Sequence, residues 1–144
     1  MATTQNFINH TRWHPPFHFF VLPVMLINFV WSIVVFAKAP GWNLGWWVVV
    51  SLALAMLTVY VRTYSLKVQD RIIRLEEKLR YQQLLSPAAV QQASALTVQQ
   101  VIALRFADDK ELEELVTQAI AGRFAKPKNA KQAIKTWRAD TFRV

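Results

Sequence analysis

Three histidines near the amino terminus are the residues best suited to chemistry in this chain. His10, His14 and His18 recur at intervals of four, the spacing that places side chains on one face of a helix. Imidazoles arranged in this way could bind a metal ion or ligate a pigment. Pro15 and Pro16 interrupt the run, and a double proline disfavours the helix interior that such a site needs. We therefore predict neither a metal ligand nor a cofactor here, and interpret the histidines as polar residues beside the first apolar segment.

An acidic cluster is the second arrangement that could do chemistry. It contains Asp108, Asp109, Glu111, Glu113 and Glu114. A divalent cation would need calcium-loop spacing with its glycine, which this segment lacks. Carboxylates are also stabilised at helix starts by the backbone dipole, and this explanation suffices. The chain has no cysteine, and its three histidines all lie before or at the start of the first apolar segment, so we predict no catalytic residues and no enzyme.

The elements that must position any site begin with two apolar segments, residues 17–37 and 44–64. No Asp, Glu, Lys or Arg occurs in residues 13–37 or 39–61. Each segment has the roughly 20 residues that a helix needs to cross a bilayer. A cleaved signal peptide is the competing interpretation of the first segment, but its apolar run exceeds the usual length and Pro40 would follow the cut. The short turn at residues 38–43 makes the two helices an antiparallel transmembrane hairpin.

Charges and aromatic rings at the ends of the spans predict their orientation. Arg12 precedes the first span and Arg62 and Lys67 follow the second, whereas the turn carries only Lys38. Because Lys and Arg are retained on the cytoplasmic side, both termini are expected there. Aromatic side chains prefer the headgroup level. The predicted interface aromatics are Trp13, Trp42, Trp46, Trp47 and Tyr64.

Polar side chains inside the spans are the candidates for helix packing or partner contact. Asn28 lies at the depth of Ser51 on the antiparallel second span, and a hydrogen bond between them would satisfy the amide in hydrocarbon. Ser51 and Ala55 form a small-xxx-small pair that permits close approach of helices. Packing within the hairpin is the favoured interpretation. Contact with a partner subunit and a transport pathway are the alternatives.

The tail, residues 65–144, is expected to be helical throughout. Its first part continues the second span as a stalk to about residue 85, with an apolar stripe formed by Val68, Ile72, Leu75 and Leu79. We expect the rest of the tail to cover this stripe, with a coiled-coil partner as the alternative. Glu76 and Arg80 are four residues apart and are expected to pair.

Short helices are predicted after the stalk. They start at Ser86-Pro87, at Thr97, at Asp108 with Glu111 as a capping pair, and at Lys128, the last running to Trp137. The predicted fold is all-α: an amino-terminal cytoplasmic segment (1–16), a transmembrane hairpin (17–64) and a basic helical tail (65–144) with a long stalk and a small bundle.

The tail is strongly basic. Fifteen of the seventeen Lys and Arg lie from residue 62 onward together with all nine acids, which leaves +6 there out of a total of +8. One dense run contains Lys126, Lys128, Lys131, Lys135 and Arg138. It is interpreted either as a solvated face or as a contact for anionic lipid or an acidic protein, with nucleic acid disfavoured.

Several segments resemble an uncharacterised family of small bacterial inner-membrane proteins. Residues 96–109 read LTVQQVIALRFADD, which fits the signature L-T-x-x-Q-x-x-A-L-R-F-A-x-D, and Glu111-Leu112 follow shortly after. Residues 68–76 (VQDRIIRLE) and 134–140 (IKTWRAD) are similar to further segments of that family. The resemblance covers nearly the whole chain. It implies a bacterial inner-membrane location and this architecture, but no activity.

The expected function is that of a non-catalytic accessory or structural subunit of a larger inner-membrane complex, respiratory or photosynthetic. Its expected partners are the bilayer and other membrane-protein subunits. The alternative is a membrane-anchored adaptor or regulatory module whose basic tail recruits a soluble partner or anionic lipid. Salt separates these two hypotheses, because electrostatic recruitment weakens as ionic strength rises.

Overall fold

The structure is a computed structural model that describes residues 5–9 and 13–140. After a π-helical turn at Pro16–Val21, its helices are α1 (Leu22–Lys38), α2 (Trp42–Leu84), α3 (Pro87–Ala93), α4 (Val98–Leu104), α5 (Leu112–Ile120) and α6 (Pro127–Ala133). The predicted all-α class is confirmed. The described residues divide into two compact units: a hairpin unit, residues 13–67, and a tail unit, residues 68–140 together with 5–9.

The hairpin unit contains the first helix and the first part of α2. Pro16–Lys38 and Trp42–Leu84 are both long and apolar enough to cross a membrane, and few of their span residues are buried within the structure. The double proline starts the first helix instead of breaking it, because the first turn of a helix has no intrahelical partner for its N–H groups. Pro23 follows a π-helical turn in which the Leu22 N–H donates to the carbonyl of Phe17. The wider turn accommodates the ring of a proline one residue further on.

The turn between the helices is as short as predicted. Ala39 leaves helical geometry, with φ −143° and ψ 77°, and α2 begins three residues later at Trp42. A Cβ atom on Gly45 would lie 3.4 Å from the ring of Phe36, an ordinary van der Waals contact, so α1 and α2 pack closely here. From this point α2 continues without a break to Leu84, which confirms that the stalk extends the second span.

The tail unit is built around one apolar core. Its fully buried large side chains include Phe106, Leu104, Leu112 and Val116. Local capping explains where the helices begin: the Ser86 side chain accepts from the Ala89 N–H, and Thr97 with Gln100 forms a capping box. Gly122, at φ +75°, lies just beyond α5, in the left-handed conformation that favours glycine at a helix end.

The predicted cap of the third short helix is wrong. That helix begins at Leu112, and Glu111, at its N-cap position, makes no capping hydrogen bond. The Glu111 carboxylate instead accepts from the backbone N–H groups of Lys135 and Thr136, at 3.2 and 3.0 Å. These donor N–H groups lie 24 and 25 residues away along the chain, and capping rules consider only the first turn.

The predicted helix at residues 128–137 is also wrong in its second half. α6 ends at Ala133 and Ile134 is extended. An isolated antiparallel bridge then joins Trp137 to Ala107, with Arg138 N–H donating to the Phe106 carbonyl at 2.7 Å. Extended geometry lets Ile134 enter the core and places the Trp137 ring 5.1 Å from that of Phe106. Burial of these two side chains outweighs the local helical tendency.

The expectation that the tail covers the apolar stripe is wrong. Val68, Ile72, Leu75 and Leu79 are 57, 52, 60 and 53% exposed. The tail packs on another face of α2, where Ile73, Glu77 and Tyr81 are buried, as is Leu85 directly after the helix. Two charged groups, Glu77 and Arg80, are therefore inside the tail unit, while an apolar row is outside.

Candidate functional site

Arg80 is the centre of the most elaborate polar arrangement in the tail unit. Its side chain is only 8% exposed, and its guanidinium uses all three nitrogens. Nε donates to Asp109 Oδ1 at 2.9 Å, Nη2 to the Ala107 carbonyl at 2.7 Å and Nη1 to Glu77 Oε2 at 3.2 Å. A guanidinium suits this position because its planar fork reaches several acceptors at once. The expected pairing of Arg80 with Glu76 is therefore replaced by pairing with Glu77 and Asp109.

Further ion pairs extend the arrangement to the end of the described chain. Arg138 Nη1 lies 3.7 Å from Glu77 Oε1, and Arg105 Nε lies 3.0 Å from Asp140 Oδ2. The Asp140 N–H donates to the Gln5 side chain at 2.8 Å, which links residues 5–9 to the same unit. We call the six charged groups the ion-pair network; they are Glu77, Arg80, Arg105, Asp109, Arg138 and Asp140. With three cations and three anions, the network is neutral.

Burial sets the electrostatics around this network. It raises the pKa of the Glu77 carboxyl above its ordinary value of 4.5, against the opposing effect of Arg80 and, more weakly, Arg138 and Arg105. Burial also raises the pKa of the Tyr81 phenol, assisted by the negative charge of Glu77. Removing one partner of a buried pair leaves an uncompensated charge, so such pairs tie the elements that carry them to one arrangement. The network thus fixes the loop after α4 and the carboxyl-terminal segment on α2.

A groove of about 750 Å³ runs beside the network. Its lining includes the charged side chains of Arg80, Arg105 and Asp109. Apolar side chains of α2, among them Ile73, Leu79 and Leu84, also contribute. Because its charged groups other than Glu76 already pair with one another, the groove offers shape and apolar contact more than free charge. Such a surface suits a protein segment better than a small reactive molecule.

A smaller pocket of about 120 Å³ lies near Tyr81. The Tyr81 hydroxyl is buried and has no hydrogen-bond partner among the described residues. Arg74 and Lys78 stand at the pocket, while Val90, Ala93, Leu96 and Val101 supply apolar walls. The sequence analysis did not identify this pocket. The spacing of Arg74, Lys78 and Tyr81 along one helical face was the available signal, but nothing local shows which helices pack against that face.

The structure brings together the two polar side chains predicted to meet in the hairpin. Asn28 Nδ2 donates to Ser51 Oγ at 3.0 Å, and Ser51 is fully buried. Ala55 lies half-buried one turn further along α2. Two further buried hydroxyls, those of Ser32 and Thr58, were not predicted from the sequence. Each donates to a backbone carbonyl of its own helix. Hydroxyls satisfied in this way can face another helix at little cost.

The predicted interface aromatics are all exposed within the hairpin unit. These residues are Trp13, Trp42, Trp46, Trp47 and Tyr64. Tyr64 stacks on Tyr60 with ring centroids 5.7 Å apart, and Trp13 stacks on Phe19 at 5.9 Å. Exposure of large rings at both ends of the apolar segments is the pattern that a bilayer interface favours. Their assignment to the headgroup level stays a prediction.

The basic run does not form one uniform face. Lys131 Nζ lies 5.4 Å from the centre of the Phe106 ring, and Arg138 belongs to the ion-pair network. Lys126, Lys128 and Lys135 are exposed. Only these three of the five predicted residues are therefore directed to solvent without a role already visible in the tail unit.

The histidines are separated by the start of the first helix. His14 precedes it, and His18 lies in the π-helical turn with Nδ1 at 3.0 Å from the His14 carbonyl oxygen. His10 lies outside the described residues. Within residues 5–9 and 13–140, no group of three or more His, Cys, Asp or Glu side chains is arranged to hold a metal ion.

Comparison with known proteins gives one match. The model of a family of unknown function, DUF6526, matches residues 1–144. Searches of curated proteins and of solved structures find no match.

Proposed function

Since the chain belongs to the DUF6526 family, whose function is unknown, we propose a role from its own geometry. The protein acts as a non-catalytic accessory or structural subunit of a larger complex in the bacterial inner membrane. The hairpin packs against neighbouring membrane helices, and the tail unit contributes a docking surface. Both termini face the cytoplasm, as the distribution of Lys and Arg around the spans favours.

The outer surface of the hairpin is the observation that carries this proposal. The Asn28 amide is directed to Ser51, so this polar group is satisfied inside the hairpin. The outward positions carry bulky side chains, with Ile27 and Trp31 66 and 65% exposed. Membrane helices associate through van der Waals packing, and these side chains offer it where a neighbouring helix takes the place of lipid. The groove beside the ion-pair network adds a surface for a partner in the tail unit.

Site-specific photocrosslinking in intact membranes tests the proposal. A photoreactive residue at position 31 is expected to yield a discrete adduct with another protein, identified by mass spectrometry. The same residue at position 32 is the matched control, because the Ser32 side chain is buried in the hairpin and 2% exposed. Adducts with lipid alone from positions 27 and 31 would contradict a subunit role.

The exposed lysines favour a second candidate function, an adaptor whose tail recruits anionic lipid or an acidic partner. Lys126, Lys128 and Lys135 are free to reach a polyanion, and each charge near an anionic surface contributes about 1 kcal/mol. Acetylation rates of these lysines can be compared in nanodiscs of neutral and anionic lipid. If the tail binds lipid, these lysines should be acetylated more slowly in anionic than in neutral discs, and only at low salt. The exposed Lys110 is the control, whose rate should be the same in both discs. Equal rates in both discs would leave an acidic protein as the partner of an adaptor.

A further inference from the structure

We propose that the apolar stripe of α2 docks on the same stripe of a second copy of this chain, as a short parallel two-stranded coiled coil. The parallel direction rests on the proposed membrane insertion, because two copies inserted through identical hairpins have their α2 helices running the same way. Other subunits are not required for this contact.

The division of α2 into two faces carries the first part of the argument. One face, with Ile73, Glu77 and Tyr81, is buried by the tail unit itself. The apolar stripe lies on a different face and each of its four side chains is more than half exposed. The tail unit therefore completes its own core without the stripe. Single exposed apolar residues are common on protein surfaces, whereas a contiguous row marks an interaction site. Four large aliphatic side chains in one exposed row therefore indicate a protein contact.

The spacing of the stripe specifies the kind of contact. Val68, Ile72, Leu75 and Leu79 follow one another at intervals of four, three and four, which assigns them to heptad positions d, a, d and a. An uncovered a/d row is the seam of a coiled coil. In the middle of the stripe, Ile72 at a and Leu75 at d form the combination that favours two parallel strands, whereas Val68 at d and Leu79 at a do not add to this preference.

Charge complementarity identifies the occupant as a second copy. In this register Arg71 occupies position g and Glu76 occupies the following position e, five residues later. In a parallel dimer, position g of one helix faces that position e of the other, so two Arg71–Glu76 pairs form across the seam. Neither residue forms an ion pair with another described residue of its own chain. An antiparallel pair would instead align g with g and e with e, placing like charges together.

Membrane confinement makes so short a seam sufficient. The stripe covers about two heptads, and free coiled coils in water usually need about three to four. Two copies held in one bilayer by their hairpins are already restricted to a thin layer and a common orientation. This restriction raises their effective concentration, so that weak contacts populate the dimer.

Cysteine crosslinking of the full-length protein in membranes tests the proposal directly, because the chain has no cysteine of its own. Leu75→Cys and, separately, Val68→Cys are expected to give disulfide-linked dimers under mild oxidation. Arg74→Cys is the matched control, since Arg74 is exposed but lies away from the stripe. We expect about tenfold more dimer from positions 68 and 75, because only there do the Cβ atoms approach within disulfide distance. The Val68→Cys crosslink also requires the parallel direction, because position 68 is at one end of the stripe.

Charge exchange supplies the second arm. In the Leu75→Cys background, Arg71→Glu is expected to lower crosslinking several-fold, and the double change Arg71→Glu with Glu76→Arg is expected to restore it. Equal crosslinking at positions 74 and 75, or a double exchange that fails to restore it, would overturn the proposal. Resistance of each variant to alkaline extraction is measured in parallel. Loss of membrane insertion thereby registers separately as failure of the proposed function.

Discussion

Arg80 Nη2 donates a 2.7 Å hydrogen bond to the carbonyl oxygen of Ala107, which lies 27 residues further along the chain. Ala107 in turn forms the antiparallel bridge with Trp137. One guanidinium on α2 thus holds the loop after α4, and through that loop the carboxyl-terminal segment. The bridge joins two of the segments that resemble the family, residues 96–108 and 134–140, and Arg80 ties them to α2.

Truncation of Arg80 should destabilise the tail unit strongly. Arg80→Ala leaves Glu77 buried without its closest cation, and breaking such a pair costs about 3–5 kcal/mol. Arg80→Lys keeps the charge but loses the planar fork, so it should fall between the alanine variant and the wild type. Denaturant unfolding of the full chain in detergent, followed by far-UV circular dichroism, measures the change. Arg74→Ala, at an exposed position of the same helix, should alter the free energy of unfolding by no more than about 0.5 kcal/mol.

Glu77 should give the tail unit a distinct pH dependence. Burial raises the pKa of its carboxyl, so above pH 4.5 the folded state retains a proton that the unfolded state has released. Stability contributed by Glu77 therefore falls as the pH rises from 4.5 through the raised pKa. The free energy of unfolding of the wild type, relative to Glu77→Gln, is expected to decrease over that window.

Denaturant titrations of both proteins at a series of pH values measure this difference. Glu76→Gln is the matched control, because it makes the same chemical change at an exposed position one residue away. If the free energy of unfolding of the wild type relative to Glu77→Gln instead increases with pH, the prediction is wrong. The ion pairs of Glu77 with Arg80 and Arg138 would then outweigh the desolvation of its carboxylate.

The hydrogen bond between Asn28 and Ser51 should contribute measurably to the hairpin. A double-mutant cycle with Asn28→Ala and Ser51→Ala is expected to give a coupling energy of about 0.6 kcal/mol, with about 1.7 as the upper range. Unfolding of the hairpin in mixed detergent micelles reports the four stabilities. A control cycle combines Asn28→Ala with Thr58→Ala. It should show no coupling, because the Thr58 hydroxyl donates to the Leu54 carbonyl within its own helix. Zero coupling energy between positions 28 and 51 would show that this hydrogen bond does not stabilise the hairpin.

Asn28→Leu separates the two predicted roles of this residue. If Asn28 serves only the hairpin, the change removes a polar group from lipid and the protein should stay in its assembly. Loss of co-purifying subunits from an inserted Asn28→Leu variant would instead assign the amide to a partner contact.

The proposed topology places Gly41 outside the cytoplasm and both termini inside. A reporter that is active only in the cytoplasm should give a signal when it is fused at position 144. A reporter that is active only in the periplasm should give a signal when it is inserted at Gly41. Lys38→Gln should preserve this pattern, because Arg62 and Lys67 retain the bias on the opposite side. A periplasmic reporter signal from position 144 would reverse the orientation.

Patterns within one helix were enough to predict much of the architecture. The predominantly apolar residues at 17–37 and 44–64 determine two helices of membrane length, and no proline lies between Trp42 and Leu84 to end the stalk. Ser86 and Thr97 cap their helices as predicted, since a capping side chain bonds to a backbone N–H only three residues away.

Tertiary contacts decided what these local patterns left open. Spacing rules offered Glu76 as a partner for Arg80, but the core buried Glu77 and brought Asp109 within 2.9 Å of the guanidinium. They extended the last helix to Trp137, whereas burial of Ile134 drew the chain into an extended segment. They also showed an apolar stripe without saying what covers it. Amino-acid order limits which neighbours lie within four residues, while the partners of Arg80 and the exposure of Leu75 depend on which surfaces the folded chain brings together.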